Sequence, residues 1–385
     1  MQNFNFKMST QVVFGIGTAL KTVSCCKKLN GSKVFLMSGP NIAKTEIFSQ
    51  LVSSMEQGGI PCIVYTDVSP EPTVEKVDRG AKALKDSGCD LVIAVGGGST
   101  IDMAKALAML KNNDGSVQDY LHGGTKNVTQ PSLPLIAIPT TAGSGSEVTA
   151  ASVITDCLHN IKLSVTHPYL VPKIAVIDPM LHQGMPPFIT ATTGMDALTH
   201  AIEAYVSMDA NPISDAYAAE AIGLIASSLR EATRNPTNIE ARSTMAAASL
   251  LAGLAFTNGG LGAVHGISQA MGGIAHVAHG LGNAVMLPHV MEYNIAGKPR
   301  KFAKIAQLLG EKTDGESVQT ASMKAVGAVR KLCEDLHIPL RIREVGITQE
   351  MFPNIVEETM KYRLLPQNPV VLKARDVYSI LQNAF

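Results

Sequence analysis

Five short, almost continuously apolar runs punctuate the first half of the chain: Lys33–Ser38 (KVFLMS), Cys62–Thr66 (CIVYT), Leu91–Val95 (LVIAV), Leu135–Ile138 (LIAI) and Ile174–Ile177 (IAVI). A strand that is apolar on both sides is buried on both faces, and strands separated by helical stretches pair in parallel. These runs therefore predict a parallel sheet covered by helices. The intervening stretches Thr73–Ser87 and Ser99–Lys111 carry helical periodicity and stop at Gly or Asn. After Gly184–Thr190 (GMPPFIT) the strand pattern ceases, and Ala-, Met- and Leu-rich helical segments follow at Asp196–Met208, Ser214–Thr233, Asn238–Leu254 and Phe302–Leu309. The 385 residues exceed the roughly 250–300 at which a single core stops growing. With Pro186 and Pro187 as the boundary signal, the expectation is an α/β domain over residues 1–185 and an all-helical domain over 186–385.

Charge narrows the partners. Lys plus Arg and Asp plus Glu both number 32, so there is no basic excess to neutralise a nucleic-acid backbone. Charged residues make up 17% of the chain against about 25% in ordinary domains, which implies surface covered by further copies: a homodimer or a higher homo-oligomer. The cysteines (Cys25, Cys26, Cys62, Cys89, Cys157, Cys333) show no CxxC pair, which argues against disulfides and a thiolate zinc site and fits a reducing compartment. The N-terminus has no apolar segment after a basic start, and no run reaches ~18 uninterrupted apolar residues. A cytoplasmic protein with no membrane partner is expected.

Two strand ends carry chemistry. In Asp90–Lys105 (DLVIAVGGGSTIDMAK) a buried strand meets Gly96, Gly97 and Gly98 and then a helix, with Ser99 and Asp102 at capping-box spacing. Such a turn admits a pyrophosphate onto the helix N-terminus, although a tight connection alone would also use glycines. Ile138–Thr149 (IPTTAGSGSEVT) ends a second strand in small polar residues. Ligands of open α/β sheets bind beyond the carboxyl ends of the strands, so both loops point to one crevice. Ala142 replaces the first glycine of a G-x-S-x-G elbow around Ser144, which counts against a serine hydrolase.

In the helical half, Asp196 and His200 are four residues apart and share a helix face, a spacing that reaches one metal ion. His265, His276 and His279 follow in a segment, Ser243–Gly297, that contains no Lys or Arg and only Glu292 as an acid. Buried neutral imidazoles need partners, and several together with an Asp/His pair point to a metal. Spacing alone selects neither His276 nor His279, and neither zinc nor iron. A donor set of imidazoles plus one carboxylate suits Fe(II) or Zn(II) better than Mg(II) or Ca(II).

Together the motifs GGGSTIDMAK (Gly96–Lys105), IPTTAGSGSEVT (Ile138–Thr149), ITD (Ile154–Asp156), IDPML (Ile177–Leu181), GMDALTHAIEAY (Gly194–Tyr205) and HGLGNAVMLPHVMEYN (His279–Asn294) resemble those of the iron-containing, or group III, alcohol dehydrogenases along essentially the whole chain. The resemblance implies the dehydroquinate synthase-like fold of that family: an N-terminal dinucleotide-binding α/β domain and a C-terminal helical domain, with the active site in the cleft between them. It assigns metal ligation to Asp196, His200, His265 and His279, and so prefers His279 over His276. The metal it implies is Fe(II), with zinc as an alternative. For the cofactor, NAD or NADP, it points to Gly96–Ser99 and Asp102 at the pyrophosphate, Thr140 and Thr141 near the nicotinamide, and Lys162 on the ribose.

Two positions depart from the family pattern. Gln269 stands where many members carry a histidine, four residues beyond His265, which makes His276 a candidate proton relay or leaves Gln269 lining the pocket. At the end of the first predicted strand Ser38 and Gly39 replace an acid that NAD-preferring relatives place near the adenosine ribose, which permits NADP. The expected activity is reversible oxidation of a small primary alcohol to an aldehyde, its alkoxide stabilised by the metal. Phe256 and the segment Gly259–Gly273 would wall the pocket. An anionic, carboxylated or sulfonated, aldehyde is the alternative substrate. A lyase of the dehydroquinate synthase type is more remote, because it needs cations that Ser243–Gly297 lacks. A catalytically idle nucleotide-binding subunit would not need all four ligand positions filled.

Overall fold

All five predicted strands are present and pair in parallel. The computed structural model describes residues 3–157 and 161–385, and the chain divides into two units. The α/β unit comprises Met8–Thr141 and Ser146–Gln183. Its main-sheet strands are β1 (Gln11–Phe14), β2 (Val34–Ser38), β3 (Cys62–Tyr65), β4 (Leu91–Gly96), β5 (Leu135–Pro139) and β8 (Ile174–Ile177), and β6 (Ala151–Asp156) pairs with β7 (Ile161–Thr166). The order across the sheet is β1-β8-β5-β4-β2-β3, all parallel.

Burial explains why the central strands read as unbroken apolar runs. β2, β4, β5 and β8 are buried at every residue. Phe35, Met37, Val92, Ala94 and Ala137 face one core, with Val77 and Leu84 of α3 (Val74–Ser87) and Leu107 of α4 (Gly98–Leu110). Their neighbours Val34, Leu36, Leu91, Ile93 and Ile136 face the opposite core with Phe48, Leu51 and Met55 of α2 (Glu46–Gln57). Helix α3 begins where the Thr73 hydroxyl accepts the Lys76 N–H and ends at Gly88, whose φ of 67° only glycine adopts readily. The β6–β7 pair is antiparallel and alternates buried with partly or fully exposed positions along β6. Lacking a continuous apolar run, it escapes the pattern that marks the main sheet.

The helical unit comprises Gly184–Phe385, joined by the N-terminal segment up to Lys7 and by Ala142–Gly145. That last excursion lies inside the predicted α/β half, and close packing accounts for it. A Cβ on Gly143 would lie 2.7 Å from the Thr193 carbonyl oxygen, and one on Gly145, at φ +62°, would lie 2.6 Å from the Gly253 Cα. The principal helices are α5 (Pro187–Val206), α6 (Pro212–Arg234), α7 (Ile239–Gly259), α8 (Ala263–Ala275) and α9 (His279–Asn294), with further helices C-terminal to them. α5 packs against α6, α7 and α9 and is buried on nearly all sides, the behaviour of a central core helix. No single helix among the described residues is long and apolar enough to cross a membrane.

Candidate functional site

Helix α5 presents Asp196 and His200 on successive turns, α8 presents His265 in its first turn, and His279 opens α9. One side-chain atom from each of the four lies within 4.8 Å of every other. Asp196, His200 and His265 are buried, whereas the His279 side chain keeps 44% of its exposure and so leaves the cluster open on its own side.

Outer contacts orient two of the rings. His200 Nδ1 lies 3.2 Å from the Gly143 carbonyl oxygen, and His265 Nδ1 lies 2.6 Å from Glu203 Oε2. A backbone carbonyl and a carboxylate oxygen are acceptors, so each ring donates its Nδ1–H outward and turns a bare Nε2 towards the cluster. The His200 ring stacks on His265, with centroids 4.5 Å apart, and on Phe256 of α7, 4.4 Å away. Asn283, one turn into α9, donates its amide to Asp196 Oδ1 at 2.6 Å and sits 3.2 Å from Nε2 of both His265 and His279. The Asn283 Oδ1 is buried with no hydrogen-bond partner.

This donor set fits a cation. Burial pushes the His200 pKa down to about 3 despite the neighbouring Asp196, so the ring is neutral at physiological pH. Burial opposes ionisation of Asp196, but the facing imidazoles and the Asn283 amide leave its carboxyl below the ordinary value. The result is a carboxylate and inward-facing imidazole nitrogens converging on one point, with a neutral amide turned towards them where a positive charge would serve better. Three imidazoles and one carboxylate are a borderline set for Fe(II) or Zn(II).

His276 does not join the cluster. It is exposed and closes α8 in the left-handed conformation, φ 54°, so the chain turns there before α9. A relay at this position finds no support in the geometry. Gln269 lies one turn beyond His265 and is partly buried. Spacing could not pair Glu203 with His265 or Asn283 with Asp196, because these partners are 62 and 87 residues apart, whereas the i,i+4 spacing of His279 and Asn283 was a readable signal.

In the α/β unit the strand order reverses between β2 and β4, which places a switch point beyond Ser38 and Gly96. A side chain on Gly96 would collide with Thr100, and one on Gly97 would press on Thr141 Oγ1 at 3.3 Å. The Thr140 N–H donates to the Gly96 carbonyl at 3.0 Å. The two polar loops thus adjoin at the start of α4. Gly97 is the N-cap and offers no side chain to cap the first turn of α4, where the Thr100 and Ile101 N–H groups donate to its carbonyl.

The predicted capping box does not form. The Ser99 hydroxyl donates to the Pro70 carbonyl, while the Asp102 carboxylate accepts from the Ser146 hydroxyl and, at 3.0 Å, from the Val153 N–H. Asp102 therefore ties α4 to the second loop and to β6 instead of capping its own helix. The Ser38 hydroxyl is fully buried and donates to the Val95 carbonyl at 2.9 Å, so it braces the switch point from within. A Cβ on Gly39 would meet nothing within 4 Å. Lys162 Nζ lies 2.6 Å from Glu71 Oε1, a carboxylate that sequence spacing could not pair with it.

Residues 9–179 match the family described as iron-containing alcohol dehydrogenase, and residues 190–385 match the Fe-containing alcohol dehydrogenase family, C-terminal. Similar proteins include long-chain-alcohol dehydrogenase 1 of Geobacillus thermodenitrificans, 41% identical over 96% of this chain and 94% of that one. The NAD-dependent methanol dehydrogenase of Bacillus methanolicus is 36% identical over 99% of both chains. Among solved structures, a 1,3-propanediol oxidoreductase superposes with a TM-score of 0.96 at 36% identity, covering 100% of both chains.

Proposed function

The chain belongs to the iron-containing alcohol dehydrogenases, and from that premise we propose that it interconverts a small, uncharged primary alcohol and its aldehyde with NAD or NADP, using Fe(II) or zinc held by Asp196, His200, His265 and His279. The observation that carries this reading is the convergence of those four side chains, two of them, His265 and His279, from a segment, Ser243 to Gly297, that has no Lys or Arg. When bound, the cation supplies Lewis acidity at the substrate oxygen and the nicotinamide dinucleotide accepts or returns the hydride.

The protein's own groups do the rest. Gly143 and Glu203 hold the His200 and His265 rings with Nε2 inward. Phe256 lies flat on His200 and supplies an apolar wall beside it. Gln269 has no proton to exchange near neutrality, so the alcohol proton leaves by solvent at the open, His279 side of the cluster. In the α/β unit the amides of Gly98 and Ser99 receive the pyrophosphate, with Thr140 and Thr141 on the nicotinamide side. The space at Gly39 carries no carboxylate to repel a 2′-phosphate, which favours use of both NAD and NADP. Lys162 serves the ribose while sharing its charge with Glu71.

Anaerobically iron-loaded protein should reduce short neutral aldehydes with NADH and with NADPH faster than carboxylated or sulfonated ones. Turnover confined to the anionic aldehydes would overturn the substrate assignment.

A further inference from the structure

Glu203 is a buried carboxylate, 3% exposed, whose two oxygens have separate tasks: Oε1 accepts the Val264 N–H at 2.7 Å and Oε2 faces His265 Nδ1 at 2.6 Å. It stands on α5, seven residues beyond Asp196, and reaches across to the first turn of α8. The surrounding backbone leaves room for it, since a Cβ on Gly262 would lie 3.1 Å from Oε1.

We infer that Glu203 is a positioning residue for the metal centre: it fixes the tautomer of His265 with the proton on Nδ1 and thereby keeps Nε2 free to bind a divalent cation. This rests on the reading of the four-residue cluster as a metal site. An imidazole carries one proton when neutral, and the ring nitrogen that bears it cannot ligate. A carboxylate accepts only, so at Oε2 it demands Nδ1–H and leaves no choice of tautomer. The same carboxylate caps the N-terminus of α8, which is the competing, purely structural role.

Glu203→Gln separates the two roles because glutamine has the same shape. Its Oε1 can still accept the Val264 N–H, so the cap survives. Its Nε2 then points hydrogens at His265 Nδ1, which must become an acceptor, and the ring proton moves to Nε2, on the metal face. Reversing the amide would set its hydrogens against the Val264 N–H. The substitution therefore fills the space, preserves the cap and inverts the tautomer.

The test is Zn(II) affinity, measured by competition with a chromophoric chelator on metal-free protein, alongside circular dichroism and NADH binding. Wild type should take one Zn(II) per chain. Glu203→Gln should keep its fold and NADH binding but hold Zn(II) about 10–100-fold more weakly. Affinity within twofold of wild type would overturn the inference. Failure of wild type itself to bind Zn(II) or Fe(II) would instead remove the metal-site reading beneath it. Should the variant not fold, histidine-labelled wild type decides the matter by two-bond proton–nitrogen correlation, the His265 signals being assigned by their loss in His265→Gln. A proton on Nδ1 supports the inference, and a proton on Nε2 refutes it.

Discussion

Each unit contains one buried polar cluster at its candidate site, and the two are built on opposite plans. In the α/β unit, fully buried Lys105 donates to Ser146 Oγ at 2.8 Å, Thr149 Oγ1 at 3.0 Å and the Ala151 carbonyl at 2.7 Å, and lies 3.5 Å from Asp102 Oδ1. Burial lowers its pKa while Asp102 and Glu147 oppose the shift. This cluster contains its own cation. In the helical unit, Asp196 and the three histidines cluster together, and the amide that Asp196, His265 and His279 meet, that of Asn283, is neutral. A partly buried carboxylate with a buried, chain-supplied cation is architecture: it welds α4 to the loop and strand beside the glycine turn. A buried carboxylate among inward-facing imidazoles asks for a cation from solution.

The difference can be broken most forcefully at Asp196. Asp196→Ala should leave a folded protein without stoichiometric metal, and alcohol oxidation should fall by at least about a thousandfold, on the order of 4 kcal/mol in transition-state stabilisation. Elemental analysis and steady-state rates check this, and full metal occupancy in the variant would remove Asp196 from the ligand set.

Lys105→Met probes the other plan. It should lower unfolding free energy by about 3 kcal/mol, because Asp102 is left without its cation, yet metal content should stay unchanged. Denaturant melts and elemental analysis separate the two effects.

Next in size is a pH effect peculiar to the helical cluster. The folded-state pKa of His200, about 3, lies below the unfolded value near 6.5, so its neutral form contributes stability that is complete above pH ~6.5 and declines as the pH falls towards 3. Metal-free protein should lose about 2 kcal/mol through this group between pH 7 and pH 5. His200→Gln should flatten that slope, and an unchanged slope would contradict the assignment.

The smallest effect concerns the open space beside the switch point. Gly39→Asp should reduce NADPH binding about tenfold relative to NADH, by repulsion of the 2′-phosphate. Fluorescence titration with both cofactors reads the ratio directly.

How much could be read from residues alone follows the same physical division. The continuous apolar runs at Val34–Ser38 and Leu91–Gly96 announce buried parallel strands because sequence period and burial coincide. The Asp196/His200 pair is readable because helical geometry converts a spacing of four into a shared face. Contacts between remote segments leave no such mark. Glu203 and His265 are 62 residues apart, Asn283 and Asp196 are 87 apart, and Lys162 and Glu71 are 91 apart. Ser99 and Asp102 show the opposite failure: local spacing suggested a cap, but Pro70 and Ser146 compete successfully for those side chains. His276 and His279 are equivalent by spacing; the family motif prefers His279, and the left-handed turn at His276 agrees with it.

Metal-free protein would be unfolded thermally under anaerobic conditions with and without Fe(II), in wild type and in Asp196→Ala. Free Fe(II) at a hundred times its dissociation constant should stabilise wild type by about 2.7 kcal/mol and leave Asp196→Ala unmoved. A wild type that gains nothing, or a variant that gains as much as wild type, would contradict the view that the helical cluster takes from solution the cation its own chain does not supply.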